Sequence, residues 1–509
     1  MTDFVSKISR KLNAATLFNG GLALIVLCLL TAVWFEHRSA APVLNSSIMP
    51  AVHAAPSGTA NGVPVTSYAD VIARVAPAVV TIRAESRVRP AQQFPFADDP
   101  FFQQFFGGRL PRAEERPQRQ IGLGSGVIVS ADGYILTNHH VIDGAEKIKV
   151  DLADHRTFDA KVVGTDAPSD LAVLKIEAHN LPVLPLGDSD QVRVGDVALA
   201  IGNPLGVGQT VTSGIISAKG RSTGLTDGSF EDFLQTDAPI NQGNSGGALI
   251  NTRGELIGIN SQILSPSGGN IGIGFAIPSN MARNVMDQLI ASGKVRRGRL
   301  GIGLQDVTSD MAQSLGLKQV QGVIVTEVEP GSPAAQAGLR QGDIITRFNN
   351  QPVSDRNSLR NSVATLLPGT NVELTIIRDG GREQNLSVKL GELSASAGDK
   401  NADQGPASGR WERSSGRLGL QVEPLTAETR AALDLPADTQ GVVVRSVDPD
   451  GPAADSGIQP GDVIMEINRQ PVRSVAAIRT ALEKGGQRPA LLLVNRRGNT
   501  FYVTVRQGS

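Results

Sequence analysis

The chain of 509 residues contains one cysteine and six histidines, and no histidine follows position 179. The cysteine, Cys28, lies in an apolar stretch near the N-terminus, so the rest of the chain offers no disulfide and no thiol nucleophile. The P-loop pattern G-x-x-x-x-G-K-[ST] is absent, which argues against an ATP site of that kind. A formal net charge of −1 gives no reason to expect nucleic-acid binding.

The scarcity of histidine limits how a serine nucleophile could be activated. Ser245 lies in the glycine-flanked run GNSGG at positions 243–247, a pattern typical of hydrolases. An α/β-hydrolase needs a histidine after this serine, and the sequence has none there. The order His…Asp…Ser of chymotrypsin-like proteases is therefore the one that remains.

Two adjacent histidines are candidates for the general base. His139 and His140 follow the strand-like run YILT at 134–137, whereas His155 and His179 stand in polar, loop-like segments without a motif. A serine hydroxyl needs a base within hydrogen-bonding distance and a carboxylate behind that base. Residue chemistry alone leaves both His139 and His140 open.

The N-terminal segment predicts export. Basic residues precede the apolar residues 14–35, so residues 1–41 are either a signal peptide or a signal anchor that stays in the inner membrane. Residues 42–67, rich in alanine, serine, proline and glycine, are expected to form a tether. Both alternatives place the rest of the chain outside the cytoplasm.

Short aliphatic runs separated by glycine and Asp-Gly predict a β-rich domain over residues 68–293. A helix from Met281 to Ser292, ended by Gly293, is expected to close it. Residues 87–120 form a regulatory insertion loop in this domain. The apolar side chains of this insertion favour contact with another subunit, and packing on its own domain is the alternative. They include Phe94, Phe96, Phe101, Phe102, Phe105 and Phe106.

The C-terminal part contains an internal repeat. The block GVIV at 322–325 recurs as GVVV at 441–444, and three further blocks recur at the same offset of 119 residues. This offset indicates two copies of one domain, at 294–393 and 416–507, joined by a linker at 394–415. The copies resemble PDZ domains, with the signature RLGL at 417–420 in the second. In the first, the resemblance implies a peptide-binding run of Arg299, Leu300, Gly301, Ile302 and Gly303.

Four blocks of the β-rich domain resemble the protease domain of the HtrA (Deg) family. They are GSGVIV at 124–129, DGYILTNHHV at 132–141, DLAVL at 170–174 and TDAPINQGNSGG at 236–247. The resemblance implies a mainly β fold, in which a chymotrypsin-like double β-barrel protease domain precedes two PDZ domains.

The resemblance also assigns the catalytic residues. The histidine directly before the valine is the base in that family, which implies His140 and puts His139 where the family usually has asparagine. Asp170 is then the orienting carboxylate, with Asp166 as a competing candidate. Ser245 is the nucleophile.

Further site residues follow from the same resemblance. Backbone N–H groups of Gly243, Asn244 and Ser245 would face the developing oxyanion. Ile240, Leu264 and Ile273 would line the pocket for the residue before the scissile bond, and this apolar lining favours small or medium aliphatic side chains. No metal or cofactor is expected.

The sequence thus predicts an ATP-independent serine endopeptidase that degrades unfolded or damaged exported proteins in the periplasm. Its expected partners are unfolded chains, peptide C-termini and further copies of itself in a trimer or higher oligomer. Two alternatives stay open: a holdase or scaffold that binds chain termini without cutting, and a membrane-anchored regulatory protease with narrow substrate choice.

Overall fold

A computed structural model describes part of the chain, mainly the segments predicted to be β-rich. The described residues are 67–87, 119–203, 208–224, 229–241, 243–263, 270–378, 381–393, 418–437, 439–486 and 488–506. The predicted leader, the tether up to residue 66, the phenylalanines of the insertion, Leu264 and the predicted linker between the repeats lie outside them. Within these segments, no helix is long and apolar enough to cross a membrane.

The first barrel closes in the strand order β1-β2-β3-β6-β5-β4. Helix α1 (Ala69–Val75) precedes it, and the short α2 (His139–Ile142) follows β3. Strand β1 is buried over most of its length, and Val79, Val80 and Ile82 all belong to the barrel core. The strands are β1 (Val79–Arg87), β2 (Arg119–Ile128), β3 (Tyr134–Thr137), β4 (Lys147–Asp151), β5 (Thr157–Asp166) and β6 (Leu171–Ile176).

The second barrel closes in the order β10-β11-β12-β9-β8-β7. Two closed barrels in one β-rich domain confirm the predicted double-barrel fold. Helix α3 (Ser279–Ser292) follows, and Gly293 ends it in the left-handed conformation, as expected from the sequence. The strands are β7 (Val197–Gly202), β8 (Thr210–Arg221), β9 (Phe233–Thr236), β10 (Ala248–Asn251), β11 (Leu256–Ile263) and β12 (Gly274–Pro278).

The first repeat domain is built on a sheet of order β14-β15-β16-β18-β19, with β17 paired to β16. A separate pair, β13 (Gly298–Arg299) with β20 (Gly391–Glu392), joins its two ends. Its helices are α4 (Ser309–Leu315), α5 (Pro333–Gln336) and α6 (Arg356–Thr365). The sheet strands are β14 (Ile302–Asp306), β15 (Val323–Val328), β16 (Ile344–Phe348), β17 (Gln351–Pro352), β18 (Asn371–Arg378) and β19 (Arg382–Lys389).

The second repeat domain has the same topology, with the order β21-β22-β23-β25-β26 and β24 paired to β23. Its helices are α7 (Ala427–Ala432), α8 (Pro452–Asp455) and α9 (Val475–Gly485). The strands are β21 (Leu420–Pro424), β22 (Val442–Val447), β23 (Val463–Ile467), β24 (Gln470–Pro471), β25 (Ala490–Arg496) and β26 (Asn499–Val505). The repeat found in the sequence is therefore a duplicated fold.

A buried ion pair recurs in both repeat domains and explains one of the repeated sequence blocks. The carboxylate of Asp343 is 2.7 Å from Nε of Arg378, and that of Asp462 is 2.6 Å from Nε of Arg496. Each aspartate also accepts a backbone N–H three residues upstream, from Arg340 or Gln459. The repeated block GDII at 342–345, which recurs as GDVI at 461–464, thus specifies a satisfied buried carboxylate at the same place in each sheet.

A second buried ion pair ties the barrels to the first repeat domain. The guanidinium of Arg297, just before β13, donates to both oxygens of Asp166, at 2.8 and 2.5 Å. The two side chains are 9% and 6% exposed. Phe230 lies with its ring centroid 4.5 Å from the Arg297 guanidinium and 4.6 Å from that of Arg360 on α6. An ion pair and an aromatic ring therefore lie together at the contact between the barrels and the first repeat domain.

Removing one partner of this pair should destabilise the protein strongly. Arg297→Ala leaves the buried Asp166 carboxylate without its counter-charge, which we expect to lower the free energy of unfolding by about 3–5 kcal/mol. The adjacent Arg296 forms an ion pair with Glu392 in which both side chains are about half exposed. Arg296→Ala is the matched control and should cost under about 1 kcal/mol. Equal losses for the two variants in urea denaturation would contradict this account.

Candidate active site

His140 and Asp170 form a close pair at the top of the first barrel. Nδ1 of His140 is 2.8 Å from Oδ2 and 3.0 Å from Oδ1 of Asp170. The backbone N–H of His140 donates to the same carboxylate at 3.0 Å. Asp170 follows a 3₁₀ turn (Ala167–Ser169) and adopts a left-handed conformation, with φ 53°. The turn places the Asp170 carboxylate next to α2. Its contact with Nδ1 of His140 fixes the orientation of the imidazole ring.

The electrostatics of the pair favour an ionised Asp170 and a basic His140. Burial disfavours the imidazolium, but the charge of Asp170 and its hydrogen bond outweigh burial, so the pKa of His140 lies above its usual value. Burial likewise disfavours the carboxylate. The charge of His140 and the hydrogen bonds from His140 and Ser261 outweigh it, so the pKa of Asp170 lies below its usual value.

Ser245 lies in a tight glycine loop held against the first barrel. Its carbonyl accepts from the N–H of Ser125 at 2.8 Å, and the hydroxyl of Ser125 donates to the carbonyl of Gly243 at 2.6 Å. Gly246 has φ 81°, and a Cβ there would be 2.1 Å from the carbonyl oxygen of Ser125. The loop therefore needs glycine at this position both for its conformation and for close approach.

A residue that sequence reasoning missed, Ser261 on β11, touches both Ser245 and Asp170. Its hydroxyl donates to Oδ2 of Asp170 at 3.0 Å, and its carbonyl accepts from the hydroxyl of Ser245 at 2.9 Å. In this arrangement the Ser245 hydroxyl points to Ser261 and not to His140. Ser261 stands in no motif with a chemical signature, so only the closure of the second barrel reveals its position.

The backbone donors near Ser245 are partly engaged. The N–H of Asn244 donates to the carbonyl of Asn241 at 3.0 Å, and that of Gly246 donates to Asn260 at 2.8 Å. Among the described residues, the N–H groups of Gly243 and Ser245 donate no hydrogen bond. Two of the three predicted oxyanion donors are therefore available to a ligand.

Two of the three predicted pocket residues, Ile240 and Ile273, are described. Ile240 is fully buried, and Ile273 on the loop before β12 is half-buried. A Cβ on Gly274 would be 3.0 Å from Cδ1 of Ile240, so β12 runs close against that side chain. The amide of Asn270 donates to the carbonyl of Ile240 at 3.3 Å. The described part of the pocket is apolar.

Asp166 and His139, the alternatives to Asp170 and His140, interact with other residues. Asp166 pairs with Arg297 and accepts from the N–H and hydroxyl of Ser169, so its carboxylate caps the turn before Asp170. Nε2 of His139 is 3.9 Å from Oδ1 of Asp143, and the backbone N–H of His139 donates to the carbonyl of Asp170 at 3.1 Å. Neither side chain is part of the Asp170–His140 contact.

The predicted peptide-binding run of the first repeat domain leads into its edge strand β14. Gly301 has φ 76°, and its carbonyl accepts from the N–H of Glu329 at 3.0 Å. Arg299 donates to both oxygens of Glu329 at 2.6 Å. Leu300 is buried in the domain core, Gly301 is buried beside it, and the carbonyl of Leu300 accepts from the N–H of Ala334 at 3.0 Å, so the run is anchored firmly to its domain.

Comparisons with known proteins agree with this architecture. A trypsin-like peptidase domain matches residues 124–259, and PDZ domains match residues 298–390 and 443–496. The two repeat domains are therefore PDZ domains. A serine protease domain followed by two PDZ domains is the class of protein that the fold and the site define.

The relatives are proteases of one family. A protein of Chlamydia trachomatis described as "Probable periplasmic serine endoprotease DegP-like" is 44% identical over 414 residues, which are 81% of this chain and 80% of the relative. "Periplasmic pH-dependent serine endoprotease DegQ" of Escherichia coli is 42% identical over 465 residues, which are 91% of this chain and 96% of the relative. The chain belongs to the HtrA-type family of DegP-like serine endoproteases.

Solved structures agree with this assignment. "HtrA-type protease AlgW with decapeptide" is 48% identical, with a TM-score of 0.51, and the match covers 64% of this chain and 99% of that one. "HtrA-type protease AlgW with tripeptide" is 45% identical, with a TM-score of 0.52, and the match covers 64% of this chain and 98% of that one.

A methyl group on Gly246 should disrupt the serine loop. In Gly246→Ala, Cβ would clash with the Ser125 carbonyl, and alanine is strained in the left-handed conformation of this residue. We therefore expect the variant to lose most of its peptidase activity. Gly293 has a similar φ of 72° but open space around its Cα. Gly293→Ala should therefore lose roughly 1–2 kcal/mol of stability and keep its activity. Equal peptidase activity of the two variants would show that the close approach is unimportant.

Proposed function

We propose that His140, Asp170 and Ser245 form the catalytic triad of this protease. The observation that carries this proposal is the contact of Nδ1 of His140 with the Asp170 carboxylate, which leaves Nε2 as the nitrogen available to a serine. The Ser245 hydroxyl turns from the Ser261 carbonyl to Nε2, gives up its proton there and attacks the scissile carbonyl. Asp170 stabilises the imidazolium that forms.

The negative charge that develops on the attacked carbonyl oxygen must be stabilised by N–H groups that do not already donate a hydrogen bond within the protein. The N–H groups of Gly243 and Ser245 meet this requirement and form the oxyanion hole in our proposal. Ile240, Ile273 and Leu264 receive the side chain before the scissile bond. An apolar pocket discriminates by only about 1–3 kcal/mol per methylene, so we propose broad cleavage at aliphatic residues in unfolded or damaged exported chains, without ATP.

The nucleophile assignment is tested by Ser245→Ala. We expect cleavage of unfolded casein to fall by up to about 10⁶-fold, because removal of a triad serine removes the whole covalent route. The thermal unfolding midpoint should stay close to that of the parent protein. Ser292→Ala, at the end of α3, is the control and should retain full activity. Residual casein cleavage by Ser245→Ala above about 10⁻³ of the parent rate would refute the assignment.

The pH dependence tests the pair of His140 and Asp170. Only neutral His140 accepts a proton, and its pKa is raised, so kcat/KM should rise with pH through an apparent pKa above 6.5. Asp170→Asn removes the charge that raises this pKa while burial continues to lower it. The rising limb should move to lower pH, and kcat should fall by about 10⁴-fold. An unmoved limb would mean that Asp170 does not act on the base.

We propose that the protease acts in the periplasm, because the relatives from C. trachomatis and E. coli are named periplasmic. The N-terminal segment is either cleaved or retained as an inner-membrane anchor, and these outcomes separate a free quality-control protease from a membrane-anchored one. The intact mass of the exported protein distinguishes them, since cleavage removes about 40 residues.

We further propose that the PDZ domains bind peptide C-termini and that the protease domains assemble as a trimer or larger oligomer. The N–H groups around Gly301 and the edge of β14 suit an extended chain with a terminal carboxylate. The phenylalanine-rich insertion is the proposed contact between subunits.

The insertion is tested by replacing Phe101, Phe102, Phe105 and Phe106 with serine. We expect the assembly beyond the trimer to dissociate in analytical ultracentrifugation, because these phenylalanine side chains are lost from the proposed contact in every subunit. Casein turnover without added peptide should change as well. Unchanged sedimentation together with unchanged turnover would contradict a role of the insertion in assembly.

A further inference from the structure

Ser125 on β2 is bonded to both residues whose N–H groups form the proposed oxyanion hole. Its hydroxyl donates to the carbonyl of Gly243 at 2.6 Å, and its backbone N–H donates to the carbonyl of Ser245 at 2.8 Å. Ser125 is fully buried and belongs to the first barrel, whereas the glycine loop at 243–247 lies between two strands of the second. One residue of the first barrel therefore holds the carbonyl groups of both donor residues.

Two peptide groups of the glycine loop are held at both ends. In the peptide after Gly243, the carbonyl accepts from Ser125 and the N–H donates to the carbonyl of Asn241 at 3.0 Å. In the peptide after Ser245, the carbonyl also accepts from Ser125 and the N–H donates to the carbonyl of Asn260 at 2.8 Å. A peptide group is planar, so bonds at its two ends fix its orientation. These two planes flank the peptide that carries the N–H of Ser245 and therefore set the direction in which this N–H points.

Gly243 makes such a restraint necessary. Its φ of 95° lies in a region that glycine adopts easily, and glycine also leaves this region more easily than any other residue because it has no Cβ. Rotation about Gly243 would turn its N–H and that of Ser245 away from each other. A hydrogen bond to the carbonyl of Gly243 opposes this rotation before the substrate binds. Donors that are already directed need no reorganisation when the negative charge develops.

The direction of the Ser125 hydroxyl is itself fixed by its surroundings. A hydroxyl donates one proton and can accept a hydrogen bond at the same time. The backbone N–H of Asn203, just after β7, donates to Oγ of Ser125 at 2.9 Å, so the hydroxyl proton is left for Gly243. Nδ2 of Asn203 donates in turn to Oγ1 of Thr81 on β1 at 2.5 Å. A chain of hydrogen bonds that begins at Thr81 thus ends at the carbonyl of Gly243.

We propose that Ser125 is a positioning residue of the oxyanion hole, an inference that rests on the triad and the oxyanion hole proposed above. Its hydroxyl contacts no substrate and takes no part in proton transfer. It holds the carbonyl of Gly243 so that the N–H groups of Gly243 and Ser245 converge on the oxygen of the attacked carbonyl. Loss of the hydroxyl therefore weakens binding of the transition state and leaves binding of the substrate nearly unchanged.

The test compares the full-length parent protein with Ser125→Ala. A peptide boronic acid that ends in boronovaline is the transition-state analogue: Oγ of Ser245 bonds to boron, its proton passes to His140, and an oxygen of the tetrahedral boronate faces the oxyanion hole. A fluorogenic peptide with valine before the cleaved bond gives kcat and KM. We expect Ser125→Ala to lower kcat and to raise the inhibition constant of the boronate by the same factor, about 10–100-fold, with KM changed by less than about twofold.

Ser279→Ala is the matched control. Ser279, at the start of α3, is also fully buried, and its hydroxyl donates to the carbonyl of Gly187 at 2.9 Å. This variant loses the same kind of hydrogen bond outside the glycine loop, so the thermal unfolding midpoint should fall in both variants. Only Ser125→Ala should lose kcat and affinity for the boronate.

Thr81→Val tests the same chain of hydrogen bonds with a milder change. Valine matches the shape of threonine but removes the acceptor for Asn203, whose N–H directs the Ser125 hydroxyl. We expect kcat and boronate affinity to fall together by a smaller factor, about 3–10-fold.

Equal boronate affinity of Ser125→Ala and the parent protein, or an equal loss in Ser279→Ala, would overturn the inference alone. If Ser125→Ala does not fold, Thr81→Val decides, and an unchanged boronate affinity in that variant would overturn the inference. Failure of the boronate to inhibit the parent protein would instead overturn the proposed triad and oxyanion hole.

Discussion

The carboxylate of Asp170 is the point at which the two barrels of the protease domain must meet. It accepts hydrogen bonds from the backbone and side chain of His140, which belongs to the first barrel, and from the hydroxyl of Ser261, which belongs to the second. The carbonyl of Ser261 in turn holds the hydroxyl of Ser245. Several donors keep this half-buried carboxylate ionised, so a change in how the barrels pack changes the charge that supports His140.

The same turn also depends on the first repeat domain. Asp166 caps the turn that leads into Asp170, and its charge is balanced by Arg297, which lies outside the barrels at the start of that domain. Phe230 stacks against Arg297 and extends the contact to α6. Because a buried charge is costly without its partner, the barrels and the first repeat domain are joined at the segment that shapes the active site.

The two repeat domains have the same buried ion pair but differ on their surfaces. Both copies keep a buried Asp–Arg pair at the same place in the sheet, as Asp343 with Arg378 and Asp462 with Arg496. The outer faces of the corresponding helices have diverged. Asn357 and Asn361 in the first copy hold the protease domain, and the second copy has Ala476 and Thr480 there. One fold therefore provides, in its first copy, a helix that docks on the protease domain, and its second copy lacks the two asparagines that make this contact.

Much of the architecture could be predicted from local sequence pattern. Aliphatic runs between glycines predicted the strands, the start and stop signals predicted the helix that ends at Gly293, and four repeated blocks predicted the duplicated domain. The absence of histidine after Ser245 restricted the order of the triad. These inferences succeed because periodicity, turn chemistry and repetition are properties of neighbouring residues.

The site itself was only partly predictable. Residue chemistry left His139 and His140 equal, and only the resemblance to a family chose between them. Ser261 carried no signal at all, because it lies 91 residues from Asp170 and 16 from Ser245 in sequence. The pairing of Asp166 with Arg297 spans 131 residues. Local pattern determined the strands and the candidate residues. Which of them meet was decided by barrel closure and domain docking, since both depend on contacts between distant parts of the chain.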